Sequence, residues 1–251
     1  MIRLNSGTAE VALKRLGLVF ITVMGFALLV KLGLWQLSRG EEKLALMQQL
    51  EMQGQQQLSW TELLLQADAD LAGTRLVTKV TSQPQQSLLL DNRTFEGKVG
   101  YQWLLPVEVA PGQPWLLLEL GFVAAGNDRR VLPDLPEVAD KLAIEGRLYR
   151  PGVNPLSSSL LEENLSGATR IQAVNFTELE AQLGQRILPW LVMVEEPAQL
   201  GFPRRWQPIS LSPEKHQGYA LQWFGLAIAW LVIAAILIRR SVCEPQTETG
   251  R

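Results

Sequence analysis

Hydrophobic residues concentrate in two long runs, one near each end of the chain. The first run covers residues 16–35 and follows Lys14 and Arg15. About 20 helical residues cross the hydrocarbon core of a bilayer. A cleaved signal peptide also begins with basic residues and an apolar stretch. However, no small-residue cleavage site follows this run, and the polar segment 36–43 is typical of a helix that continues into water. The pattern therefore predicts an uncleaved transmembrane helix over residues 16–37.

The second run covers residues 219–238 and ends at two arginines. It is too long and too uniformly apolar for a buried helix of a soluble core, so a second transmembrane helix is predicted over residues 217–238. Basic residues beside a membrane helix favour the cytoplasmic side when the flanking segment is short. We therefore expect both termini to lie in the cytoplasm, the tails being residues 1–15 and 239–251, and the segment between the two helices to lie outside it.

The segment between the two runs, residues 38–216, shows the pattern of short strands separated by turns. Strands are predicted at residues 75–80, 87–90, 101–109, 115–118, 141–149 and 187–194. Residues 110–114 contain two prolines and a glycine and predict a hairpin turn. Closely spaced strands of this kind predict a sheet curled into a small barrel or sandwich. The fold class expected is a β-rich α+β domain on the non-cytoplasmic side, between two transmembrane α-helices.

Two short helices are predicted within this domain from their end signals. Ser59 and Glu62 have the spacing of a capping box, which predicts a helix that reaches about residue 66. Asn175 opens a second helix that extends to Leu183, and Gly184 stands where a helix stop is expected. Helices are otherwise few in this segment.

Composition and charge exclude several classes of function. The formal net charge is −2, and no basic stripe with interleaved aromatic residues is present, so no nucleic-acid partner is predicted. Cys243 is the only cysteine and His216 the only histidine. A disulfide within the chain and a metal site with several cysteines or histidines are therefore excluded. No catalytic motif occurs, and we predict that the protein is not an enzyme.

The end of the first apolar run carries the first candidate site. Trp35, Arg39 and Lys43 are spaced i, i+4 and i+8, which places them on one face of a helix. An interfacial anchor and a docking face for a membrane partner both fit this pattern.

The start of the second apolar run carries the other candidate site. His216, Tyr219 and Trp223 lie on a similar helical face, and Gln222 is a polar residue inside the run. A capping residue with an aromatic belt fits this pattern. A histidine that ligates a cofactor also fits, because a haem needs only one protein ligand. A polar residue in a span is expected to face protein or ligand. For a haem, arginines near these segments would meet the propionates, the candidates being Arg39, Arg204 and Arg205.

Four blocks of residues resemble the surfeit-locus-one family of cytochrome c oxidase assembly proteins, in the order of that family. The blocks are Gly33-Leu34-Trp35-Gln36-Leu37-Ser38-Arg39 with Lys43; Asn92-Arg93 with Gly97-Lys98-Val99-Gly100-Tyr101 and Pro106; Gly146-Arg147-Leu148 with Asn154-Pro155; and His216-x-x-Tyr219-Ala220-x-x-Trp223-Phe224. Each block is weak alone, but together with two apolar spans in the right places they are fairly specific.

The resemblance implies a protein of the bacterial inner membrane with both tails inside and a β-rich periplasmic domain. It also implies a role in delivering haem a to subunit I of a haem-copper oxidase, or in stabilising it there. It implies that His216 ligates the haem iron, with Trp223 and Tyr219 beside it. Residues implied at docking or interfacial positions are Trp35, Gln36, Arg39, Lys43, Arg93 and Tyr101. Expected partners are oxidase subunit I, haem a synthase and the lipid bilayer. Two alternatives stay open: a chaperone that binds oxidase subunits without a cofactor, and a membrane-anchored sensor or receptor domain.

The sequence also departs from the pattern of that family. Where the family usually has Asn-Arg-Gly-Trp after a hydrophobic strand, this chain has Glu119-Leu120-Gly121-Phe122, so an arginine is lost and a carboxylate appears. Lys215 stands where the family has an asparagine before the histidine. The missing arginine puts any role of that strand in doubt.

Overall fold

The chain divides into two compact units, one helical and one built on a sheet. The computed structural model describes residues 6–126, 128–129, 131–151, 163–165, 168–206, 209 and 211–243. The helical unit combines Met1–Met47 with Ile209–Arg251, and the sheet unit is Gln48–Pro208.

Two long α-helices belong to the helical unit, α1 (Ser6–Gln53), which ends in the sheet unit, and α4 (Pro213–Cys243). Both are long and apolar enough to cross a membrane. Their large apolar side chains stay exposed along the helices, among them Phe20, Leu28 and Ile228, whereas a core helix of a soluble protein would bury them. The polar segment after the first apolar run is helical, as the sequence predicts.

Nine strands and two short α-helices make up the described part of the sheet unit. In chain order they are β1 (Gln57–Leu58), α2 (Trp60–Leu65), β2 (Arg75–Ser82), β3 (Leu88–Phe95), β4 (Lys98–Glu108), β5 (Trp115–Ala124), β6 (Lys141–Tyr149), β7 (Glu163–Leu165), β8 (Ala168–Ile171), α3 (Phe176–Leu183) and β9 (Ile187–Glu196). All six predicted strands exist, within β2 to β6 and β9. The sequence did not predict β1, β7 and β8, because segments of two to four residues show no periodicity of their own.

The strands form one mixed sheet in the order β1-β2-β6-β9-β5-β4-β3-β8-β7. A further pairing of β2 with β4, at Thr81–Glu108 and Ser82–Val107, closes five of these strands into a ring. The other four strands lie outside the ring. The predicted barrel or sandwich therefore needs correction: the domain is a single sheet with a short closure and not a clean barrel. The closure is short because only the last two residues of β2, Thr81 and Ser82, pair with β4.

Alternate side chains of the central strands pack into two hydrophobic clusters. In β5, Leu116 and Leu118 belong to the larger cluster and Leu117 to the smaller one. This division follows from the period of two residues in a strand, which sends neighbouring side chains to opposite faces of the sheet. Helix α3 covers the smaller cluster with Leu179, which is fully buried.

The predicted helix ends in the sheet unit are confirmed. Ser59 and Glu62 form a reciprocal capping box at α2, in which Glu62 also accepts a hydrogen bond from the Ser59 backbone N–H at 2.7 Å. Asn175 caps α3, and Gly184 ends it in the left-handed conformation at φ 65°. Such ends are set by neighbouring residues in the sequence, which is why they could be predicted.

Strand β3 is longer than predicted, because a polar segment follows its apolar start. The pairing of β3 with β4 is irregular between Leu90 and Arg93, and Asn92 has a φ of 58° at this bulge. The strand then resumes and ends at Phe95. A bulge turns the following side chains to new directions, so it determines where Arg93 and Phe95 lie.

Candidate functional site

Helices α1 and α4 lie side by side and antiparallel, with glycines of α1 against large rings of α4. A methyl group added at Gly33 would lie 2.5 Å from the Phe224 ring, and one at Gly25 would lie 2.8 Å from the Trp230 ring. The Trp230 indole N–H also donates to the carbonyl oxygen of Thr22 at 3.0 Å. Small residues let two membrane helices approach closely. The glycines therefore set the spacing of the helix pair.

A hydrogen bond joins His216 of α4 to Gln36 of α1. The imidazole Nδ1 lies 2.8 Å from Oε1 of Gln36, and His216 is only 8% exposed. An amide carbonyl oxygen only accepts hydrogen bonds, so Nδ1 carries the proton and donates it. In the neutral ring Nε2 is then unprotonated, and it has no hydrogen-bond partner among the described residues. Metal-ligating histidines take this tautomer when a second residue orients them.

The aromatic residues predicted beside this histidine are less buried. Trp35 is 53% exposed and Tyr219 is 43% exposed, while Trp223 is half-buried. The structure thus brings Gln36 and His216 together and leaves the predicted aromatic residues with surface available to another molecule.

The predicted face of Trp35, Arg39 and Lys43 is open in part. Arg39 is exposed and forms an ion pair with Glu42 one turn along the helix, and Lys43 is half-buried. An exposed pair of this kind adds little stability, so a partner could displace it. The docking role of this face stays a prediction.

Gln222 is exposed on α4, although it is the one polar residue inside the second apolar run. The buried side of α4 is formed by Ala220 and Ala227, which are 1% and 2% exposed. The expectation that Gln222 faces protein or ligand is therefore not met within this chain and could only concern another molecule.

Two predicted docking residues belong to the sheet unit and differ in exposure. Arg93 is exposed on β3, so it can meet a partner. Tyr101 on β4 is fully buried, and its hydroxyl group has no hydrogen-bond partner among the described residues. This burial does not favour a docking role for Tyr101. Asn154 and Pro155, two further residues of the resemblance, lie outside the described residues.

Tyr149 on β6 forms a polar network with residues of β5 and β4. Its hydroxyl group donates a hydrogen bond to the Glu119 carboxylate and accepts one from the Gln102 amide at 3.1 Å. Burial of the hydroxyl group raises the pKa of Tyr149 well above its usual range, and the charge and hydrogen bond of Glu119 add to this effect. Arg93 and Gln102 oppose it. Tyr149 therefore stays protonated and holds the Glu119 carboxylate in place.

The replaced family positions on β5 have clear structural roles. Leu120 is fully buried in the larger core cluster. An arginine there would have to bury its charge, which costs roughly several kcal/mol unless the charge is paired, so leucine suits this core. Phe122 keeps an aromatic ring at the position of the family tryptophan and stacks on Phe95, with ring centroids 5.6 Å apart. Lys215 is exposed at the start of α4.

A cleft of about 780 Å³ opens beside β9. Two arginines and three glutamates line it. Of these, Arg75 lies 3.4 Å from Glu145 and 3.3 Å from Glu195, and Glu195 also lies 2.6 Å from Arg147 outside the lining. The paired charges leave little net charge for a charged ligand.

The sequence placed Gln36 and His216 near one membrane surface but did not predict that they bond to each other. The usable signal was the spacing of small residues, seven or eight apart on both helices. These residues are Gly25, Gly33 and Gly40 on α1 and Ala220, Ala227 and Ala234 on α4. Such spacing marks one face of a helix and indicates close helix packing.

No group of three or more His, Cys, Asp or Glu side chains in the described part of the chain is arranged to hold a metal ion. The family model described as the SURF1 family matches residues 23–228, which is most of the chain. No curated protein matches the chain. The family match confirms the resemblance that the four sequence blocks indicate.

Proposed function

The chain belongs to the SURF1 family, and from this membership we propose that it is a non-enzymatic, membrane-anchored assembly factor for haem-copper cytochrome c oxidase. The family is generally associated with cytochrome oxidase assembly. Two helices that are long and apolar enough to cross a membrane support the anchoring.

In the proposed topology both helices span the bacterial inner membrane, both tails are cytoplasmic and the sheet unit is periplasmic. The basic residues at the tail ends of the spans support this orientation. A reporter that works only in the cytoplasm should be active when it is fused at Cys243. Activity of a periplasm-dependent reporter there would reverse the orientation.

The hydrogen bond between Gln36 and His216 is the observation that supports haem a as the cargo. It selects the tautomer with an unprotonated Nε2, which is the form that can ligate iron. One neutral imidazole in a fixed orientation is a sufficient protein ligand for a haem. His216 would hold the iron of haem a, and Gln36 would orient the imidazole. Trp223 and Tyr219 would offer ring surface beside it.

The visible spectrum of the full-length protein tests this role. The protein is purified in detergent from cells that make haem a. We expect a haem a band that disappears in His216→Ala and weakens about tenfold or more in Gln36→Met, which keeps the side-chain size but removes the acceptor. Gln217→Ala is the matched control, because Gln217 is exposed beside His216 and should leave the band unchanged. Equal bands in all four proteins would contradict the haem role of His216.

A second candidate, a chaperone that binds oxidase subunits without a cofactor, is favoured by the burial of His216. The His216 side chain is 8% exposed and already bonded to α1, so it can hold the two helices together without a cofactor. In that case oxidase subunit I should copurify with the protein although no haem band is present.

The proposed partners are oxidase subunit I and haem a synthase. A photoreactive residue at Trp35 or Trp223 should capture one of them in the membrane. The control is the same residue at Leu65, which is 82% exposed in the sheet unit and should capture neither. If neither partner is captured from Trp35 or Trp223 and no haem band is seen, the proposed function is wrong.

A further inference from the structure

A small pocket of about 180 Å³ in the sheet unit carries an excess of positive charge. Three arginines line it, Arg93, Arg204 and Arg205, and Glu119 is its one carboxylate. The larger cleft beside β9 differs, because its lining has two arginines and three glutamates, and Arg75 pairs with two of these glutamates. Of these two cavities, the small pocket is therefore the one where an anion would be attracted.

The fold builds one wall of this pocket by fixing the segment after β9 against β5. The backbone N–H of Phe202 donates to Leu120 at 2.7 Å, and that of Phe122 donates to Pro203 at 3.0 Å. Gly121 between them has a φ of 103°, and a side chain there would collide with the backbone of Phe202. The glycine thus permits the close approach that holds the arginine segment beside the pocket.

Arg204 supplies charge to the pocket, while most of its donors bond to backbone carbonyl oxygens. Its guanidinium group donates to the carbonyl oxygen of Val194, to that of Leu200 at 2.5 Å and to that of Phe202 at 3.2 Å. It forms no ion pair with a described residue. Its positive charge is therefore fixed in position and is not neutralised by a direct partner.

Arg93 and Arg205 have donors available for a ligand. Arg93 is exposed, and its side chain has no hydrogen bond or ion pair among the described residues. Arg205 lies 3.8 Å from Glu96, but the two side chains are 62% and 67% exposed. An ion pair so long and so exposed is weak, so a bound anion could replace Glu96.

Two aromatic rings complete the pocket. Phe95 and Phe122 stack at 5.6 Å between ring centroids with an interplanar angle of 24°, and both residues are half-buried. The Arg205 guanidinium carbon lies 6.0 Å from the Phe95 ring centroid. The pocket thus offers an apolar surface directly beside cationic donors.

We propose that this pocket binds a carboxylate carried on an apolar body. Arg93 and Arg205 bind the carboxylate, and the rings of Phe95 and Phe122 cover the apolar part. The volume suits a small group or the end of a larger molecule, since pockets for whole drug-sized ligands are about 300–1,000 Å³. A monoanion suits the site better than a dianionic phosphate, because Glu119 already places one negative charge in the lining. This binding does not depend on whether His216 takes haem.

Titration of the full-length protein in detergent tests the proposal, with binding followed by ligand-observed NMR. The probes are 3-phenylpropionate, its neutral amide 3-phenylpropionamide, and phenyl phosphate. We expect 3-phenylpropionate to bind most tightly and to bind less as the salt concentration rises. Arg93→Gln or Arg205→Gln should weaken its binding about tenfold. Glu96→Gln should strengthen it, because this change removes the carboxylate that competes for Arg205.

The matched control is Arg186→Gln, which removes the same charge from an exposed arginine outside the pocket and should leave binding unchanged. Equal binding of the amide and the carboxylate would overturn the proposal, because recognition would then not need the charge. Tighter binding of phenyl phosphate would overturn the assignment of a monoanion. A loss in Arg186→Gln as large as in Arg93→Gln would show that only the net charge matters. All three results are independent of the haem spectrum.

Discussion

Removing the hydroxyl groups of two tyrosines in the same sheet should change the stability of the sheet unit in opposite directions. Tyr101 on β4 is fully buried, and its hydroxyl group has no partner among the described residues. Tyr149 on β6 is half-buried, and its hydroxyl group bonds to Glu119 and Gln102. We predict that Tyr101→Phe stabilises the sheet unit and that Tyr149→Phe destabilises it.

The magnitudes follow from the cost of burying a polar group. An unsatisfied buried hydroxyl group costs about 1–3 kcal/mol, so Tyr101→Phe should raise the free energy of unfolding by about 1 kcal/mol or more. Tyr149→Phe leaves the Glu119 carboxylate and the Gln102 amide each without a bond. Because these groups are only half-buried, a loss of about 1–2 kcal/mol is expected. For a domain of this size, 1 kcal/mol corresponds to about 2–4 °C in melting temperature.

Thermal unfolding of the full-length protein in detergent, followed by tryptophan fluorescence, measures both changes. Trp103 and Trp190 are buried in the same core cluster as Tyr101 and report on its unfolding. The two variants should lie on opposite sides of the unmodified protein. If Tyr101→Phe lowers the melting temperature as much as Tyr149→Phe does, the Tyr101 hydroxyl group has a polar partner in the molecule and the reasoning fails.

Two further predictions concern pH and the helix pair. The pKa of Tyr149 lies above its ordinary value of 10.0 in the folded state. Its contribution to stability is therefore complete below pH 10.0 and is lost as the pH rises above that value. The melting temperature of Tyr149→Phe should therefore fall less at alkaline pH than that of the unmodified protein, and equal falls would contradict this. Gly33→Ala should destabilise the helix pair by about 1–3 kcal/mol through overpacking against Phe224, which titration with sodium dodecyl sulfate can measure. Gly17→Ala is the control and should not destabilise the pair, because a methyl group at Gly17 meets no atom within 4 Å. Equal losses of stability would contradict the contact at Gly33.

The parts of the fold that could be predicted are those that neighbouring residues determine. The capping box of Ser59 and Glu62 and the helix stop at Gly184 need only a few adjacent residues. The closure of the sheet through β2 and β4 could not be predicted, because it joins segments whose own patterns fit any neighbouring strand. The polar end of β3 was missed for a related reason: its strand conformation comes from pairing with β4 and a bulge at Asn92, not from alternation of its side chains.

The same distinction applies to the candidate sites. The sequence indicated His216, Gln36 and Arg93 individually, since residue type and position near a span were enough. It did not indicate that Gln36 and His216 bond across 180 positions of sequence. It also gave no reason to join Arg93 with Phe122, because the pocket forms only when β3, β5 and the segment after β9 meet.

The helix contact at Gly33 and the hydrogen bond at Gln36 depend on each other, although only the latter involves a chemically active side chain. Gly33 and Gln36 lie within one turn of α1, and their partners Phe224 and His216 lie on the same helix α4. A methyl group at Gly33 would lie 2.5 Å from the Phe224 ring, whereas carbon atoms pack at about 3.5–4.0 Å. If the helices move apart to relieve this contact, they must separate by about 1 Å. A hydrogen bond of 2.8 Å would then be too long to persist. We therefore expect Gly33→Ala to disturb the orientation of the His216 imidazole, although Gly33 does not bond to it.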